Sequence, residues 1–174
     1  MRRVRAGMVG AALAASLVCG ALAAEKPNLL GTFKDWHVYS AGKGKDRTCY
    51  ALSAPKETNP ANVSRGDIFF LISSWPANKV AEQPSVVPGY QYADKAKAQV
   101  QVGSDKFTFA TRNEGSDGGA WTENPADDKK VVAAMKRASS MIVTGTSARG
   151  TLTKDEYSLA GFSAALEKLG TACK

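Results

Sequence analysis

The final stretch of the chain, residues 147–173 (SARGTLTKDEYSLAGFSAALEKLGTAC), changes hydrophobic period half-way and ends on a cysteine. A turn at Arg149-Gly150 leads into Thr151, Leu152, Thr153 and Tyr157, which have the β-branched and aromatic character of a strand. Leu159, Phe162, Leu166 and Leu169 then recur at i, i+3, i+7 and i+10, one face of a helix. Ser158 is placed to cap that helix, Asp155 and Glu156 to complement its positive end, and Gly170 to release the chain from it. A short helix with a narrow apolar stripe is not stable alone. It has to dock on the rest of the molecule, and Cys173 points to a covalent tie.

The partner of that tie follows from the other end of the chain. Arg2, Arg3 and Arg5 precede an uncharged run rich in Ala, Leu and Val, which closes on the small-x-small triplet Ala21-Leu22-Ala23. This is the pattern of a secretory signal peptide over residues 1–23. Val18, ahead of Cys19, is not the small residue that lipoprotein processing requires. Cleavage removes Cys19 and leaves Cys49 and Cys173, which are expected to pair in an oxidising compartment. No Cys-x-x-Cys is present, which argues against a thiol oxidoreductase. The lost arginines lower the formal charge of +7 by three. No basic stripe interleaves with aromatics, so nucleic acid is not an expected partner, and no membrane span is expected after signal cleavage. The expected location is the periplasm or cell surface.

Residues 24–32 read as a flexible leader, and residues 33–174 as a single domain. Alternation predicts a strand over 33–40 with Trp36 as core anchor, a polar turn over 41–47, and a second strand over 48–53 that pairs with the first. Residues 55–66 read as a loop. Residues 67–75 (DIFFLISSW) read as a central strand covered on both faces. A short strand is predicted over 85–92, and a hairpin from strands 98–102 and 106–111 around Gly103-Ser104-Asp105. A turn is predicted over 113–119 and a brief strand around Trp121. Asn124, Pro125, Asp127 and Asp128 announce a helix closed by Lys136 and Arg137. A strand over 141–146 precedes the C-terminal run. Together these predict a mainly β protein: an antiparallel β-sandwich or partly closed barrel with two short helices, one of them C-terminal.

The residue inventory is poor in chemistry. The one histidine, His37, sits on a strand and reads as half-exposed. No Gly-x-Ser-x-Gly elbow occurs, and Ser53-Ala54-Pro55-Lys56 matches Ser-x-x-Lys only by chance, because Pro55 opposes the helix that motif needs. Neither zinc nor calcium has a suitable ligand set, and no cofactor is expected. A structural charge pair between Arg149 and Asp155, pinning the turn, is the expected use of those residues. Tyr157 reads as a core aromatic with a polar handle. The candidate contact surface is the basic loop Lys43, Lys45 and Arg47, together with Trp121, whose neighbours are small or polar.

Ser147, Arg149-Gly150-Thr151, Asp155, Tyr157-Ser158-Leu159, Gly161 and Ala165-Leu166, with Asp35-Trp36 and Cys49-Tyr50-Ala51-Leu52 earlier, resemble the invasion-associated locus B family of bacterial envelope proteins. The likeness spans most of the chain after Lys34. It implies an exported, non-enzymatic cell-envelope protein that acts through contacts with an unidentified envelope or host protein, with a role in host-cell invasion and virulence. The family's further cysteine soon after the early tryptophan is absent here, where Tyr39-Ser40 stand, so a single bridge is implied. The alternative is a periplasmic module binding a small ligand or peptide. The oligomeric state is not legible in the sequence.

Overall fold

The computed structural model describes residues 26–173, so the expected signal peptide lies outside the described residues. Eleven strands run β1 Asn28–Phe33, β2 Trp36–Ala41, β3 Thr48–Ser53, β4 Glu57–Asn59, β5 Phe69–Trp75, β6 Val80–Val87, β7 Lys97–Val102, β8 Asp105–Glu114, β9 Asp117–Trp121, β10 Ser140–Thr146 and β11 Leu152–Ser158. Two helices, α1 Pro125–Met135 and α2 Phe162–Ala172, complete the domain. The strands form one sheet in the order β1-β2-β3-β5-β6-β9-β8-β7-β10-β11-β4, and every pairing is antiparallel.

The sheet is rolled over a single core and its ladder does not close, so the expected mainly β antiparallel fold is present as one curled, partly closed sheet. Alternate residues of successive strands turn to one interior: Trp36 and Val38, Cys49 and Ala51, Phe70 and Ile72, Val100 and Val102, Met141 and Val143, Asp155 and Tyr157. The curl brings distant strands face to face, with Phe70 of β5 lying 6.0 Å from Tyr157 of β11 and 6.3 Å from Phe109 of β8, ring centre to centre. The two ends of the sheet are joined by other bonds. Trp36 Nε1 donates to the Ser158 carbonyl at 3.1 Å, and the Asp35 amide to Ala160 at 3.3 Å. The Lys56 ammonium also pairs with Asp35, and that hydrogen bond holds the Asp35 carboxyl below its ordinary range.

The predicted strand over 33–40 is interrupted. Lys34-Asp35 is a two-residue turn, with Lys34 at a φ of 52°, and the leader expected over 24–32 becomes strand β1 from Asn28 onward. A two-residue turn of charged residues leaves the alternation undisturbed, so periodicity does not reveal it. β4 arises within the expected loop because Glu57, Thr58 and Asn59 find an edge on β11. β5 buries Phe70 and Ile72 and leaves Phe69 and Leu71 half-buried, so the strand expected to be covered on both faces is covered fully on one. The polar turn, the second strand and the β7–β8 hairpin stand where periodicity places them, with Gly103-Ser104 as the turn. Asn124 caps α1 by accepting from the Ala126 amide at 2.9 Å, and Pro125 takes the first position.

The apolar stripe Leu159, Phe162, Leu166 and Leu169 is buried as its spacing predicts. α2 lies against β1, β2 and β3, with the Phe162 and Trp36 ring centres 4.9 Å apart. Its start differs from expectation. Ser158 ends β11 and its hydroxyl accepts from the Ala160 amide, while Gly161 caps the helix at a left-handed φ of 89°. Asp155 and Glu156 therefore lie in a strand rather than ahead of a helix, and Gly170 lies inside the helix. A Cβ on Gly161 would stand 1.9 Å from the Phe33 carbonyl oxygen. Gly161→Ala is thus expected to combine left-handed strain with overpacking and cost about 2–4 kcal/mol, read as a lower urea midpoint. A shift equal to that of Gly170→Ala, a position with open space around it, would remove this role.

The C-terminal tie is formed. Cys49 and Cys173 are bonded with their Cα atoms 5.9 Å apart, and both are buried.

Candidate functional site

Three irregular segments meet beside the inner end of β11: the loop before β5, the loop after β6, and the turn joining β10 to β11. Arg65, on the first, reaches into the interior. Its two terminal nitrogens donate to the two oxygens of Asp155, each at 2.6 Å, and Nε and one terminal nitrogen also donate to the Pro88 carbonyl at 3.0 and 2.7 Å. The guanidinium lies 5.1 Å from the centre of the Tyr90 ring. The side chains of this pair are only 6% and 2% exposed, which makes it a buried ion pair of matched fork geometry. Burial opposes the Arg65 charge, but the bonds to Asp155 outweigh it and hold the guanidinium protonated.

Tyrosines surround the pair. The Tyr90 and Thr153 hydroxyls are 2.7 Å apart, and the Tyr92 ring meets Tyr90 edge-on at 5.3 Å. Burial raises the pKa of Tyr90, Tyr92 and Tyr157. The Tyr157 hydroxyl is buried and makes no hydrogen bond among the described residues. Glycine makes room for this packing: a Cβ on Gly145 would lie 2.7 Å from the Tyr90 hydroxyl and 2.8 Å from the Tyr92 ring.

Above the pair the surface opens into a cleft of about 240 Å³, lined by Val63, Ser64, Tyr90, Ser147, Arg149 and Thr151 together with Arg65 and Thr153. It continues past Arg65 and Tyr90 into a shallower depression of about 430 Å³, reaching Gln91, Ser116 and Asp117. Arg149 stands at the junction on a braced turn. The Ser147 amide donates to Thr151 at 2.9 Å, the Gly150 amide to Ser147 at 2.8 Å, and the Ala148 amide to Gln91 at 2.7 Å, with Gly150 at a φ of 82°.

The structure redistributes the residues singled out in the sequence. Arg149 and Asp155 do not pair; Asp155 is taken by Arg65, and Arg149 is exposed at the lip of the cleft. Trp36 and Gly161 belong to the docking of α2, as does the Ser158 carbonyl. Tyr157 is a core residue as expected. Lys43 and Arg47 flank a single 3-10 turn, Gly44–Asp46, between β2 and β3, and Lys45 lies within it. Trp121 lines a separate depression of about 290 Å³ with Val87 and Gly119, its ring over that glycine. In sheet order β5 and β6 lie between β3 and β9, so the basic turn and Trp121 do not form one patch. His37 is half-buried beside Thr32, and the Ser53 hydroxyl donates to Ala54 rather than meeting Lys56. Arg65 and Val63 carry no sequence signal beyond a loop, and Tyr90, expected on a strand over 85–92, lies past the end of β6 at Val87; Arg65 and its partner are 90 positions apart.

Fold and groove define a disulfide-tethered, rolled antiparallel β domain with a preformed surface groove over a closed ion pair. The model of the invasion associated locus B (IalB) protein family matches residues 36–170, and the chain belongs to that family. The crystal structure of invasion associated protein B from Bartonella henselae has the same fold, with a TM-score of 0.59 and 17% identity over 85% of this chain and 97% of that one. No curated protein matches the chain. Among the described residues no helix is long and apolar enough to cross a membrane.

Proposed function

We propose that the protein is exported to the cell envelope and acts there by contact, without a reaction of its own. The observation that carries this reading is the groove. Arg65 lines its floor with its guanidinium bound to both oxygens of Asp155 beneath, so neither group is free to move a proton, while the cation at its lip faces outward. Export is supported by the N-terminal signal pattern, and the bridge is of the kind that oxidising compartments maintain. Family membership supports an envelope setting, and we extend the invasion association in the family's description to this chain as part of the proposal.

A second reading, a small-ligand module, is favoured by the depression beside Trp121, where an aromatic ring, Val87 and two glycines form an apolar surface that Arg112, Glu114 and Asp117 also line. Cross-linking in intact cells followed by affinity purification of the tagged full-length protein separates the two. The contact reading expects an envelope or host protein to be captured, with recovery reduced by Arg149→Gln or by neutralising Lys43, Lys45 and Arg47. Release of the protein only in the cytoplasmic fraction would end the export reading, and capture unaffected by either change would move the contact surface elsewhere.

A further inference from the structure

Arg149 is the charge of the groove that no internal interaction accounts for. Arg65, Arg112 and Arg137 each meet a carboxylate, of Asp155, Glu114 and Asp105 respectively. Arg149 makes no ion pair among the described residues, although its turn is held from several sides. A guanidinium on a rigid base gives up only side-chain freedom when it binds, which favours recognition. Because Asp155 already neutralises Arg65, the lip of the cleft is left with a net positive charge and calls for an anionic group.

Shape narrows the choice. The cleft and the depression beyond it share Arg65, Tyr90 and Arg149, so the site is elongated with the cation near its middle. At one end Val63, an apolar side chain 38% exposed, offers with the Tyr90 ring beside it a surface for another apolar side chain. At the other end Asp117, accepting from the Ser116 hydroxyl, opposes a second negative charge. A small anion would use Arg149 and leave both ends unused. An extended chain uses all three.

We infer that the groove binds an extended peptide segment of a partner protein, with one Asp or Glu side chain on Arg149 and an apolar side chain at the Val63–Tyr90 end. This deepens the contact reading and rests on it. The opposition from Asp117 selects a single acid rather than an acidic run.

The test is an array of N-acetylated hexapeptide amides that scans one glutamate and one leucine through a serine-glycine background, probed with the intact disulfide-bonded protein. The strongest sequences are then measured in solution by fluorescence anisotropy. Binding is expected to need the acid with leucine on one side of it, and to fall about tenfold or more when glutamine replaces glutamate in the peptide. Arg149→Gln should cause a similar loss with an unchanged melting temperature, and Arg149→Lys should restore part of it. A blank array, or Arg149→Gln binding as well as the unaltered protein, overturns the inference. So does displacement by glutarate together with indifference to the leucine, which would make this a small-anion site. A blank array alongside successful capture from cells leaves the contact reading standing and removes this one alone.

Discussion

Replacing Cys49 and Cys173 together by serine is expected to lower stability by about 4–5 kcal/mol, because the bridge closes a loop across a separation of 124 residues and so restricts the unfolded chain strongly. The loss should appear as a large fall in the urea midpoint relative to the oxidised protein, reproduced by adding reductant to the unaltered chain. The same change has a local consequence. α2 covers Trp36, which is fully buried, and the bridge fixes the last turn of that helix to β3. Without it the helix is held mainly by Phe162, Ala165, Leu166 and Leu169, and early urea should red-shift the tryptophan emission ahead of the main transition. A serine variant as stable as the oxidised protein would show that apolar docking alone secures the C-terminal segment.

The second large effect is expected at the buried ion pair. Asp155→Ala leaves the Arg65 guanidinium beneath the groove with only the Pro88 carbonyl and the Tyr90 ring, and should cost about 3–5 kcal/mol. Arg65→Met with Asp155→Leu removes both charges and refills the space, and should recover most of that loss, since a buried pair gains little net energy over apolar packing. The comparison of single and double variants by urea denaturation measures the coupling directly. If Asp155→Ala costs less than about 1 kcal/mol, the pair is solvated in solution and the floor of the groove is not closed as described.

These two interactions divide the motif that carries the family likeness. Trp36, Ser158 and Gly161 serve the docking of α2, while Ser147, Arg149 and Gly150 shape the groove. Asp155 and Tyr157 lie on the inner face of the strand that joins the two regions. A run of residues close together in the chain thus holds two distant parts of the rolled sheet in register.

What could be read without coordinates follows from local physics. The period-2 alternation of β7 and β8, the capping residues of α1, the apolar stripe of α2 and the pairing of the two cysteines after residue 23 are each legible from neighbours in the chain or from the cysteine count. Other features depend on partners far away. β1 is a strand because β2 and α2 receive it, β4 because β11 offers an edge, and Gly161 starts the helix because the Phe33 carbonyl leaves no room for a side chain.

The sequence by itself determined an antiparallel β domain closed by one disulfide, with a docked terminal helix, since alternation, stripe and cysteine count are properties of the chain alone. Tertiary structure decided which arginine Asp155 would take and which would be left at the surface. Both Arg65 and Arg149 carry the same charge, and only the curl of the sheet, which buries one side chain and exposes the other, distinguishes them.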